Sequence, residues 1–188
     1  EAKELQEILQ NYLDADPKDQ TSRQGLARCY ISLGEPEKAV QLWSDPPVSL
    51  SSRIVYARAL IESGQADSAV PLLDDDQEGQ SSAEFQFVKG LLSLKLNNSS
   101  AATEHLRRAV NQRPLNQEMR SYYTDALRLA GDIEENEKQS QLLKVNHLIF
   151  RLLNHPDTVV DKELVQSLKS HCVALGADRY VQILKLEP

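Results

Sequence analysis

Leu26-Ala27-Arg28-Cys29-Tyr30-Ile31-Ser32-Leu33-Gly34-Glu35-Pro36-Glu37-Lys38-Ala39-Val40-Gln41-Leu42-Trp43 spells out a helical hairpin. Apolar and small residues recur at helical steps up to Gly34, a helix stop, and Pro36 starts a second helix without losing a needed hydrogen bond. Outward from this stretch the pattern restarts. Tyr56-Ala57-x2-Leu60-x3-Gly64 is followed by Ala69-x3-Leu73. Gly90 opens a third copy, continued by Ala102-x3-Leu106-x2-Ala109 and closed by Pro114, and Tyr123-x3-Leu127-x3-Gly131 begins a fourth. A period of about thirty-odd residues with small residues at fixed offsets predicts stacked helix pairs. The small residues mark where the two helices of a pair cross closely, since a larger side chain would push them apart.

Bulk composition agrees with this and excludes other classes. The apolar fraction of 40% suffices for a core, and aromatics at 5% suit helices closed by Ala and Leu better than a β-sandwich. A net charge of −7 argues against nucleic-acid binding, which needs a basic face to displace counterions. No apolar run approaches the roughly 20 residues of a membrane span, so no membrane insertion is expected. The first residue is Glu1 and the single methionine is Met119, which predicts a piece of a longer protein and leaves the compartment open. Cys29 and Cys172 fall in the first full hairpin and the last, too far apart for the Cα separation of about 7 Å that a disulfide tolerates. Both read as small buried hydrophobes.

These residues resemble the tetratricopeptide repeat family, whose pattern places small or large apolar residues at positions 4, 7, 8, 11, 20, 24 and 27 and a proline at 32. In that register residues 1–17 are the second helix of a truncated repeat, with Leu5, Leu9 and Tyr12 on a face left without its partner helix. Repeats then occupy 18–48, 49–82, 83–116 and 117–153, and 154–188 is a divergent hairpin pivoting on Gly176, a candidate cap. Pro46-Pro47 cuts the second helix of repeat one short, and only thirty residues separate Gly34 from Gly64 where about 34 are usual. Asn97 replaces the hairpin glycine of repeat three, and asparagine is the next most tolerant residue of a left-handed cap. In repeat four Asn136 and Ser140 stand where small and large apolar residues are expected, which questions its close crossing. The resemblance implies an all-α, right-handed α-solenoid of stacked antiparallel pairs, about eleven helices in all.

No catalytic constellation is visible. The four histidines lack metal-ligand spacing, no serine sits in a GxSxG elbow, and there is no glycine-rich phosphate loop. Asp74, Asp76, Glu78 and Gly79 mimic half of a calcium loop, but its twelfth position is Phe85, and the segment reads as a solvated acidic connection. Trp43 falls at a packing position and reads as core. No enzyme activity, metal or cofactor is expected.

In the family the first helices line a concave groove. Carried over residue by residue, the groove positions include Gln24, Arg28, Ile54, Arg58, Phe87, Leu91 and Asp125. Arg28 and Arg58 share one register in adjacent repeats and could fork onto carboxylates, beside an apolar patch of Ile54, Phe87 and Leu91. The alternative is that they pair with Glu62 or Glu84. The carboxylate clamp of the heat-shock co-chaperones is not reproduced. Its places hold Gln24, Arg28, Val55, Glu84 and Val88, or one repeat later Ile54, Arg58, Val88, Glu118 and Tyr122. The resemblance thus implies a scaffold holding a protein or peptide partner with an acidic group in the groove. An architectural spacer, or an arm self-associating through exposed terminal helices, is the alternative.

Overall fold

A computed structural model describes residues 2–74, 82–154, 162–177, 180 and 182. Asp76, Glu78 and Gly79 of the acidic connection lie outside this set. Ten helices and no strand are found among the described residues: α1 (Ala2–Ala15), α2 (Gln20–Ser32), α3 (Pro36–Gln41), α4 (Leu50–Glu62), α5 (Ala66–Leu73), α6 (Ala83–Lys95), α7 (Ser99–Gln112), α8 (Gln117–Ala130), α9 (Ile133–Asn154) and α10 (Lys162–Ala174). The eleventh expected helix falls beyond Gly176, where Tyr180 and Gln182 are described and helical.

One stop motif ends α2, α4, α6, α8 and α10. Gly34, Gly64, Asn97, Gly131 and Gly176 all have φ between +58° and +82°. The residue after each donates its N–H to a carbonyl five positions back: Glu35 to Tyr30 (2.8 Å), Gln65 to Leu60 (2.7 Å), Asn98 to Ser93 (2.8 Å), Asp132 to Leu127 (3.0 Å) and Ala177 to Cys172 (2.9 Å). This is the Schellman closure, which satisfies carbonyls the helix leaves open. Asn97 adopts it as the sequence predicts, and Gly176 closes α10 in the same way. The first helices also share a start signal that the repeat pattern alone does not display. Asp19, Ser49, Ser82 and Asn116, all extended, cap α2, α4, α6 and α8 by accepting from Thr21, Ser52, Phe85 and Met119 N–H groups.

The chain divides into two compact units, Glu1–Asn98 and Ser99–Pro188. In the first, α1 packs on α2, α2 on α3 and α4, α3 on α4, and α4 and α5 on each other and on α6. The crossing residues Ala27, Ala39, Ala57 and Ala69 are fully buried, the packing that small residues were expected to permit. α3 stops at Gln41, five residues before Pro46, and i→i+3 bonds from the Leu42 and Trp43 N–H groups tighten its last turn. Trp43, just past this end, still joins the core of Ala27, Ile31, Ala39, Val55 and Ala59, edge-on to Tyr56 at 5.5 Å. On α1, Leu9 packs toward α2, its Cδ1 lying 3.1 Å from where a Cβ on Gly25 would stand. Leu5, Ile8 and Tyr12 remain exposed.

In the second unit α8 packs on both α7 and α9. α9 and α10 share a core of Leu142, Val145, Ile149, Leu168 and Cys172, completed by Tyr180. Asn136 and Ser140 of α9 are only half-buried. Gln139, between them on the same helix, is instead buried and is hydrogen-bonded through its carbonyl oxygen to Arg120 of α8. A polar tie therefore joins the two helices where a small-residue crossing would otherwise do so. Cys29 and Cys172 are buried free thiols, their pKa values raised by burial.

Candidate functional site

The adjacent first helices α2, α4 and α6 form one wall of the first unit, and six of the seven groove residues lie on it. Gln24 on α2 donates from Nε2 to Ser52 Oγ (2.8 Å) and Ser51 Oγ (3.3 Å) on α4, binding the two helices rather than standing free. Arg28 is exposed and makes no ion pair among the described residues. Arg58 on α4 donates from Nε to Glu62 Oε1 at 2.7 Å, an i,i+4 pair in which each side chain is 24% exposed. Its guanidinium carbon stands 5.4 Å from the centroid of the Phe87 ring on α6. The alternative of an internal partner for Arg58 is therefore the arrangement found, with Glu62 as that partner.

The apolar patch needs a correction. Ile54, Phe87 and Leu91 are buried, Phe87 at 2% exposure, so they pack between helices and do not form an exposed patch. The family register places these positions toward the groove, but the Arg58 guanidinium over Phe87 and the close α4–α6 packing close that part of the surface. Asp125 lies on α8 in the second unit, exposed, with Arg128 Nη2 3.3 Å from its Oδ1.

The second unit holds a cluster that repeat register did not reveal. The carbonyl of Pro114 accepts from Arg120 Nη2 (3.0 Å), from Asn146 Nδ2 (2.9 Å) and from the Tyr180 hydroxyl. Arg120 also donates through Nη1 to Gln139 Oε1, while Gln139 Nε2 donates to Glu135 Oε1 at 2.6 Å. The Arg120 guanidinium lies 5.4 Å from the Tyr180 ring centroid. Burial pulls the Arg120 pKa down and pushes that of the Tyr180 phenol up. Tyr123 is pushed up to about 12, chiefly by burial and next by the nearby Glu135 charge. In the sequence, only the polar residues interrupting an otherwise apolar α8–α9 pattern hint at such a tie.

No helix among the described residues is long and apolar enough to cross a membrane. Residues 2–49 match the family model described as tetratricopeptide repeat. No curated protein matches the chain. The matched segment covers α1 to α3 and includes the hairpin of Leu26–Trp43, whose stop motif recurs at Gly64, Asn97, Gly131 and Gly176. Residues 2–49 therefore carry a tetratricopeptide repeat, a helical repeat of a kind associated with protein-interaction scaffolds, and the described residues of the chain are all-α.

Proposed function

We propose that the protein binds a partner peptide with an acidic group along the wall formed by α2, α4 and α6. The observation that supports this most is the exposed Arg28 without an ion pair among the described residues, on the helix adjacent to the one bearing Arg58. Arg58 is pre-oriented by Glu62 and Phe87, which reduces the rotamer entropy lost on binding. Charge-assisted hydrogen bonds to a carboxylate then supply orientation, and the packed helices keep the donors at fixed spacing. The wall is a noncatalytic docking surface.

An array of short peptides differing only in Glu-for-Gln replacement, probed with the full chain, tests this reading. Acidic members should bind, more weakly as salt rises, and Arg28→Glu should reduce that binding at least about tenfold with unchanged helicity. Arg58→Gln is the gentler second variant, because Arg58→Glu would place a carboxylate beside Glu62. Equal binding by Arg28→Glu, with loss only when an α7 residue such as Arg108 is reversed, would overturn the proposal. The exposed Leu5, Ile8 and Tyr12 of α1 favour a second reading, self-association through that helix. Sedimentation equilibrium of Ile8→Glu against the parent chain decides it: a concentration-dependent dimer lost in the variant supports self-association, and a monomeric parent excludes it.

A further inference from the structure

A cavity of 640 Å³ opens in the second unit between α7, α8, α9 and the turn at Gly176–Ala177. Arg120, only 2% exposed, lines it. Both terminal nitrogens of this guanidinium are committed to neutral acceptors, Gln139 Oε1 and the Pro114 carbonyl. Its Nε is buried with no acceptor, and among the described residues no carboxylate stands within ion-pair distance of it. A buried cation held only by neutral groups is costly, and an unused N–H adds to the cost.

Tyr123 lines the same cavity, buried, its hydroxyl without a hydrogen-bond partner among the described residues. Burial keeps this phenol protonated well above neutral pH, so it is a donor. The remaining charged lining is nearly balanced. Lys138 Nζ lies 3.9 Å from Glu135 Oε2, and Arg107 pairs with Glu104, outside the lining. Asp132 is the other lining carboxylate. One negative charge would complement Arg120, whereas a dianion would meet about twice the repulsion from Asp132 and Glu135.

We propose that this cavity binds a single carboxylate group, received by the Arg120 guanidinium and the Tyr123 hydroxyl. The site belongs to the second unit and does not depend on the wall of α2, α4 and α6. Its volume falls within the range of small-ligand pockets and admits a Glu or Asp side chain of a partner segment, or a free small carboxylic acid.

The test titrates the full chain, labelled with ¹⁵N-arginine, with acetyl-Gly-Glu-Gly-amide, its Gln counterpart, propionate and inorganic phosphate. The Glu peptide should bind saturably and shift the Arg120 Nε–H resonance, at least about tenfold more tightly than the Gln peptide. Tyr123→Phe keeps the ring in the core and should weaken binding about five- to tenfold. Arg120→Lys, if its helicity is retained, should weaken it more. Propionate matching the peptide assigns the site to a free acid, and a tighter peptide assigns it to a protein segment. The proposal fails if no carboxylate binds saturably, if Glu and Gln peptides bind alike, if phosphate binds more tightly than the carboxylates, or if Tyr123→Phe leaves affinity unchanged.

Discussion

Phe87→Ala separates a buried wall from an open apolar groove. If Phe87 lined a groove, its truncation would cost little stability and only weaken a ligand. In the structure Phe87 is 2% exposed on α6, with the Arg58 guanidinium carbon 5.4 Å from its ring centroid. Truncating a ring so enclosed should cost about 3–5 kcal/mol through lost transfer energy and the cavity left behind. The contact with Arg58 contributes about 1 kcal/mol or less of this, because that side chain is 24% exposed and already engaged by Glu62. For a chain of 188 residues each kcal/mol shifts the melting midpoint by about 2–4 °C, so the loss amounts to about 6–20 °C. Thermal and urea unfolding followed by circular dichroism measure it, and Arg58→Ala combined with Phe87→Ala isolates the pairwise part. A loss below about 1 kcal/mol for Phe87→Ala would refute the burial and restore the open apolar groove.

Two further expectations concern local geometry and pH. Gly64 has φ +82° and nothing within 4 Å of an added Cβ, so Gly64→Ala should cost about 1 kcal/mol from the left-handed backbone alone. Asn97→Gly, at φ +58°, should stay within about 0.5 kcal/mol of neutral, and urea unfolding of both variants measures the contrast. Tyr123 is raised from 10.0 to about 12, so its contribution to stability is intact below pH 10 and is lost as pH rises through 12. The unfolded chain releases that proton first. Unfolding free energies measured between pH 9 and about 12 should therefore fall, and Tyr123→Phe should flatten part of the slope.

How far the sequence carries the reader differs between fold and site. The stops at Gly34, Gly64, Gly131 and Gly176, and the substitute at Asn97, are legible because a left-handed helix end depends on the backbone of one residue. The crossings at Ala27, Ala39 and Ala102 are legible for a related reason, since only a small side chain fits there and each is fully buried. The start signals Asp19, Ser49, Ser82 and Asn116 carry equally local chemistry, though the repeat register does not contain them.

By itself, then, the sequence determined the repeating hairpins, their stops and the absence of a familiar catalytic motif. Only the tertiary structure decided which groove positions stay open. Exposure of Ile54, Phe87 and Leu91 depends on how closely α4 and α6 approach and on the Arg58 side chain over Phe87, and no spacing within one helix encodes either. The Pro114 cluster has the same origin. Arg120, Asn146 and Tyr180 lie up to 66 positions from the carbonyl they share, and they meet because three elements converge on one partly buried acceptor. Local backbone preference acts over a few neighbouring residues and is written along the chain, whereas burial and polar pairing are settled by partners that only folding brings together.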